Sequence, residues 1–362
     1  MVDSSNGGRK DSATMSLVSH SVSISAGLSN GNKLAPIALF VYNRPEHTQS
    51  TVNALLENEL AAQSDLFVFS DGPKDGAGFL AIQRVRTCMR RVQGFKSVTI
   101  IERERNLGLA NSVIAGITQL CSEFDRVIVM EDDLLTTPDF LTFMNQALER
   151  YQTEPRIFSV SGFNFGFNGP EHYDYDAFCF YRSSSWGWGT WRHRWEQADW
   201  KVSDYERFCA DQRLRRQFNR GGEDLSRMLA LQMYSRIDSW AIRWAYTHFK
   251  QDALALLSLR PRVFHIGSDN AATNSRRKSF KQLPLTKEHK SEFHYPDTTR
   301  VEEHFVLELQ RSLRPSLVRR LVRRFLDARF GAGVKRSDAS ALVPATTKPS
   351  AAPEVTRRSL GD

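Results

Sequence analysis

A strand-like run from Arg126 to Met130 passes without a spacer into Glu131-Asp132-Asp133. Carboxylates crowded at the tip of a buried strand repel one another and lose hydration, so a positive partner has to sit beside them. Mg2+ or Mn2+ suits such a cluster, because these ions hold one or two protein carboxylates and complete their shell with phosphate oxygens. The competing use is an acidic start for the next helix, since Thr136, Thr137, Pro138 and Asp139 also read as a helix N-terminus.

The 362 residues, 41% of them hydrophobic, allow one large or two smaller domains. Cys88, Cys121, Cys179 and Cys209 stand far apart with no CxxC pair, which points to neither a zinc cluster nor a disulfide framework and fits a reducing compartment. Residues 1–34 are rich in Ser, Gly and Asn, lack a signal-peptide core, and are expected to be disordered. No apolar run is long enough to span a bilayer, so a cytoplasmic protein, soluble or peripheral, is expected.

The net charge of +8 is concentrated in residues 311–336, where Arg311, Arg314, Arg319, Arg320, Arg323, Arg324, Arg329, Lys335 and Arg336 face only Asp327. Leu317, Val318, Leu321, Val322, Phe325 and Leu326 recur there at helical spacing, with Pro315 near the start and Gly331 after the end. This predicts a basic amphipathic helix, which either docks on the core or makes peripheral contact with the inner membrane. Nucleic acid is a poorer partner, because Phe325 and Phe330 are the only interleaved aromatics. Residues 337–362, dominated by Ala, Ser, Thr and Pro, are expected to be disordered.

Between Pro36 and Ser159, β-like runs (Ile37 to Tyr42, Leu66 to Ser70, Val98 to Ile101, Val127 to Met130) alternate with helix-like ones (Glu46 to Leu60, Asp75 to Val92, Leu109 to Cys121). That alternation predicts an α/β fold with a mainly parallel sheet flanked by helices. Ligands of such sheets gather beyond the carboxyl ends of the strands, where this chain puts Asn43-Arg44-Pro45, Asp71-Gly72-Pro73, Arg103 to Gly108 and the acidic triplet. Glycines and the Ser185 to Trp191 stretch then change the character of the chain, and Leu225 to Leu259 leads into Arg260-Pro261-Arg262-Val263-Phe264-His265.

These motifs, in order, resemble the donor half of GT-A fold glycosyltransferases, with the nearest likeness to bacterial family-2-like sugar transferases and the N-acetylglucosaminyltransferase I group. The likeness runs from about Ala35 to Asn274. It implies a Rossmann-like mixed sheet in a single catalytic domain, with a donor-binding half over 35–160 and an acceptor-side half over 161–310. By motif match, Tyr42, Asn43, Arg44 and Asp71 hold the nucleotide, with Asn106 and Gly108 nearby. The triplet matches the DXD motif, so Asp133 is the implied ligand of Mn2+ or Mg2+, supported by Glu131 and Asp132.

Asp238, before Trp240, matches the general base of the family; its alternative use is a helix N-cap, and Glu223 and Asp224 are in reserve. Trp186, Trp188 and Trp191 match a loop whose indoles meet sugar rings, although tryptophans also serve as core. Relatives often close with Thr-His where this chain has Thr273-Asn274, leaving His265 as the nearest imidazole; a lone histidine flanked by Phe264 and Ile266 reads as structural. The resemblance thus implies a metal-dependent, inverting transfer of a hexosyl or N-acetylhexosaminyl group in surface polysaccharide or glycoconjugate synthesis. The donor is a nucleotide-diphosphate sugar, a uridine diphosphate-linked one being one choice, and the acceptor a glycan or lipid-linked molecule. The alternative is a catalytically degenerate relative that binds the nucleotide sugar without turnover.

Overall fold

A computed structural model describes residues 33–74, 76–267 and 282–313. The chain divides into two compact units after Lys33, and every element below belongs to the unit that begins at Leu34. The helix expected over 311–336, the tails and Thr273-Asn274 lie outside the described residues, apart from the ends that reach Lys33, Leu34 and Arg311 to Leu313.

β1 (Ile37–Val41), β2 (Asp65–Ser70), β3 (Ser97–Glu102) and β4 (Arg126–Glu131) run parallel, linked by α1 (Pro45–Leu56), α2 (Phe79–Met89) and α3 (Leu109–Glu123). β5 (Leu134–Thr136), α4 (Phe140–Arg150), β6 (Ile157–Ser161), β7 (Ala177–Phe180) and β8 (Trp188–Trp191) follow. Then come α5 (Arg192–Trp195), α6 (Tyr205–Ala210), α7 (Gln212–Phe218), α8 (Leu225–Met233), α9 (Trp240–Lys250), β9 (Leu254–Ser258), β10 (Val263–His265) and α10 (Glu303–Leu313).

One eight-stranded sheet has the order β3-β2-β1-β4-β8-β6-β9-β7, with β8 and β7 antiparallel to their neighbours. It is the mixed, mainly parallel sheet that the alternating pattern predicts, and it runs through both expected halves. β5 and β10 form a separate antiparallel ribbon. Chain order reverses at β1, flanked by β2 and β4, and the crevice between β1 and β4 is the switch point at which open α/β sheets bind ligands.

The central strands are buried on both faces, which explains their unbroken apolar runs. Ile37, Leu39, Val41, Ile128 and Met130 face one core with α1, α2 and α4, while Ala38, Phe40, Val127 and Val129 face a second one with α3 and α9. Burying a large aliphatic or aromatic side chain is worth roughly 1.5–3 kcal/mol, so this two-sided seating leaves β4 little freedom to shift the acids at its tip.

α9 adds one buried titratable group. His248 Nδ1 lies 3.0 Å from the Trp244 carbonyl, which can only accept, so Nδ1 carries the proton. Nε2 then accepts from the Ser159 hydroxyl at 2.9 Å. Burial pushes this imidazole down from 6.5 to about 4, against the upward pull of the Trp244 carbonyl. Between those values the unfolded chain binds a proton that the folded one refuses, so this stability is complete above pH 6.5 and is lost as pH falls toward 4. The full effect is roughly 3 kcal/mol. Urea melts at neutral and acid pH should show a wild-type loss of that order beyond the loss in His248→Gln; equal losses would remove the assignment.

Candidate active site

The loops after β1, β2 and β3 form one pre-tied rim. Asp71 follows β2, is 5% exposed, and accepts from the Leu107 N–H at 3.0 Å and the Gly72 N–H at 3.2 Å. Asn106 Nδ2 donates to the Gly72 carbonyl at 2.9 Å, while its Oδ1 accepts from the Gly108 N–H at 3.1 Å. Gly108 sits at φ +78° where the chain turns into α3, a conformation costly for any residue with a Cβ. The Tyr42 N–H donates to Asp132 Oδ2 at 3.4 Å, and its hydroxyl accepts from the Lys74 N–H at 3.2 Å. Asn43 is exposed on the same rim.

Arg86 completes the frame, although it belongs to none of the rim motifs. It is 8% exposed, lies on the apolar face of α2 beside Ile82, Val85 and Met89, and donates to the Arg103 carbonyl at 2.7 Å and the Ser70 hydroxyl at 3.1 Å. A charged residue at a core position of a helical pattern was the available signal.

The acidic triplet does not start a helix: β5 intervenes, and Asp139 occupies the N-cap position of α4 without a capping bond. Asp133, 6% exposed, accepts from Arg44 Nη1 at 2.6 Å through Oδ2, and His265 Nε2 lies 3.2 Å from the same oxygen. Arg44 also pairs with Asp132 at 3.8 Å. Burial pushes the Asp133 carboxyl up, but His265 and Arg44 outweigh it and hold it below the usual range. Burial, then the Asp133 charge, push Asp132 up to about 7, and burial with both aspartates raises Glu131 well above its ordinary value.

Asp133 Oδ1 is buried with no hydrogen-bond partner. A bare buried carboxylate oxygen is costly, and a cation would satisfy it. Among the described residues no group of three or more His, Cys, Asp and Glu side chains forms a metal cage. The protein's share is a carboxylate with an imidazole beside it, a donor set that fits Mg2+ or Mn2+ sharing its shell with substrate phosphates. His265 is thus at the site, although Phe264 and Ile266 beside it give it the sequence setting of a structural histidine. Its ring stacks on Trp186 at 4.4 Å and 12°, and its backbone is held by Gln282, which accepts from its N–H at 2.8 Å and donates to its carbonyl at 3.1 Å.

The tryptophan expectation needs correction. Trp188 and Trp191 are 0% exposed on β8; Trp188 stacks on Trp240 at 5.1 Å, and Trp191 donates to the Leu148 carbonyl at 3.0 Å. Period-two alternation along β8 cannot show that both of its faces are covered. Neither indole has a face for a sugar, and only Trp186 is partly exposed.

Asp238 is not the cap of α9, since Ser239 accepts from the Ile242 N–H at 3.4 Å. Its Oδ2 instead accepts from the Ala110 N–H at 3.4 Å, beside Gly108 at the start of α3, and its side chain is 57% exposed. Of the reserve acids, Asp224 is tied to Arg182 by two bonds of 2.8 and 3.0 Å. Glu223 lines a separate cavity of about 500 Å³ with Arg216 and Arg220.

Residues 37–213 match the family model described as glycosyl transferase family 2. The mixed, mainly parallel sheet with flanking helices agrees with the GT-A fold expected from the sequence. An alpha-1,3-mannosyl-glycoprotein 2-beta-N-acetylglucosaminyltransferase of Arabidopsis thaliana is 24% identical over 185 residues, covering 48% of this chain and 41% of that protein. The chain thus spans less than half the length of that relative. Among solved structures, the mannosyltransferase PcManGT from Pyrobaculum calidifontis, in complex with GDP-Man and Mn2+, is 15% identical over 36% of each chain with a TM-score of 0.26. S. aureus TarS is 9% identical over 65% of this chain and 61% of that one, with a TM-score of 0.38.

Gly267 gives the site a direct test. A Cβ there would lie 1.9 Å from Asp133 Oδ2 and 2.8 Å from Arg44 Nη1, so Gly267→Ala must displace the carboxylate or its partner. Calorimetric titration with Mn2+ and a nucleoside diphosphate should show affinity at least about tenfold weaker, while cooperative unfolding is retained. Wild-type affinity would contradict the placement of Asp133.

Proposed function

We propose that this chain transfers a sugar from a nucleotide-diphosphate donor to an acceptor hydroxyl, with inversion and with the help of a divalent cation. The observation that carries the reading is Asp133: a buried carboxylate with a bare oxygen, at the carboxyl end of β4 and at the switch point of the sheet. The family 2 match over 37–213 supports the reaction class.

In this reading Asp71, Asn106, Gly108, Tyr42 and Asn43 shape the seat of the nucleoside, and Asp133, with Asp132, Glu131 and His265 around it, faces the diphosphate. Bound there, Mg2+ or Mn2+ would neutralise the charge that gathers on the departing diphosphate. Arg44 holds Asp133 and supplies fixed positive charge next to the same oxygens. Asp238, exposed at the rim beside the Asn106 to Gly108 loop, takes the proton of the acceptor hydroxyl as that oxygen attacks the anomeric carbon. Trp186, partly exposed and stacked on His265, is the indole left for the sugar side of the cleft. The uridine base, the lipid-linked acceptor, surface polysaccharide synthesis and the inner-membrane setting belong to this proposal as its narrower form. Among the described residues no helix is long and apolar enough to cross a membrane.

A donor-binding protein without turnover is the second reading, favoured by the Ala110 N–H that already occupies Asp238 Oδ2 at 3.4 Å. Donor hydrolysis in the presence of Mn2+ separates the two. Asp133→Ala should abolish both hydrolysis and metal-dependent nucleotide binding while the chain still unfolds cooperatively. Asp238→Asn should lower kcat for transfer by about 10²–10⁴ with donor affinity unchanged; an unaltered kcat would sink its role as base.

A further inference from the structure

The β5–β10 ribbon has three paired positions: Thr136 with Val263, Leu135 with Phe264, and Leu134 with His265. A ladder this short specifies its own register weakly, and a slip of one residue turns every side chain to the opposite face. Yet this ribbon decides whether His265 meets Asp133. Asp133 immediately precedes β5, and the Ile266 N–H just after β10 donates to the Asp133 carbonyl at 2.9 Å.

At the ribbon's other end the Thr137 N–H donates to the Arg262 carbonyl at 3.0 Å. There the side chains of Arg262 and Asp139, both 0% exposed, pair at 3.4 Å. The guanidinium packs against both Phe143 and Phe293, 5.0 and 4.4 Å from their ring centres, and Nη1 donates to the Ser258 hydroxyl at 2.8 Å. Asp139 accepts from the Thr137 hydroxyl at 2.5 Å and the Lys290 N–H at 3.2 Å. Arg262 Nε and Nη2 still have no hydrogen-bond partner.

For stability alone, apolar side chains would serve as well in such a place, because desolvating an ion pair offsets its attraction. What a planar fork adds is a single seat. A slip of one residue along a strand moves it by about 3.4 Å, enough to part Arg262 from Asp139 and strand both charges. Fixing register is the best-attested use of a buried polar pair.

We propose that Arg262, paired with Asp139, is a positioning residue that pins the register of the β5–β10 ribbon and thereby holds the His265 imidazole against Asp133. This rests on the reading of Asp133 as the donor-site carboxylate. The pair touches neither donor nor acceptor and acts through the ribbon.

The test uses the full chain carrying Arg262→Met with Asp139→Leu, and separately Arg262→Lys. The first readout is the ring NMR signal of His265 without ligand, assigned with His265→Gln and displaced in the wild type by the indole of Trp186 stacked on it. The second is the Kd for Mn2+ with uridine diphosphate. The apolar pair should unfold cooperatively, lose the Trp186-induced displacement, and bind at least about tenfold more weakly. Arg262→Lys, which keeps the charge but not the fork, should change both readouts in the same direction by less. Wild-type ring signals and affinity in the apolar pair would overturn the proposal. Should that pair not fold, Arg262→Lys decides: a lowered melting midpoint with ring signal and Kd unchanged means a structural role only. A wild-type protein that binds no metal or nucleotide would refute the donor-site reading, while the ligand-free ring signals would still judge the pin.

Discussion

A carboxylate at the tip of a buried strand stays an anion only if donors or cations replace the water it has lost. Asp133 receives that replacement from Arg44 and His265, which arrive from opposite ends of the domain, one after β1 and the other at the close of β10. Because both partners converge on Oδ2, Oδ1 is left bare, and the cluster is polarised toward a further positive group. The two-sided burial of β4 makes this arrangement rigid: the strand cannot retreat to relieve the acids without uncovering both cores.

The first four strands were legible because they and their loops obey local rules. Residues such as Ile37 to Val41 and Arg126 to Met130 read as doubly covered strands, and turn residues such as Asp71-Gly72 and Asn106 to Gly108 sit at their carboxyl ends. What escaped was decided by distance along the chain. The tie between Arg86 and the carbonyls of Ser70, Asp71 and Arg103, the approach of His265 to Asp133, and the pairing of Arg262 with Asp139 all depend on which strands become neighbours. Trp188 and Trp191 failed as sugar contacts for a related reason: a strand's burial on its second face is set by α4, α5 and α9, none of which its own sequence mentions.

The loops after β2 and β3 are bound to one another before any ligand arrives. Asp71, Asn106 and Arg86 hold the ends of β2 and β3 in one frame, so a ligand bound on this rim would meet carbonyls and amides already fixed in direction. Such preorganisation lowers the ordering cost of binding.

The antiparallel seat of β8 has a consequence for how the cleft is assembled. Pairing Val129 with Trp188 means that, two residues farther along, Glu131 leaves β4 opposite the point where Trp186 approaches β8. The parallel strands deliver their last residues to the cleft, whereas β8 delivers the residues that come before its first. The two sides of this opening are therefore written in opposite reading directions. Lengthening the chain ahead of β8 reshapes the same opening as lengthening it behind β4, and the two insertions would compete for one volume.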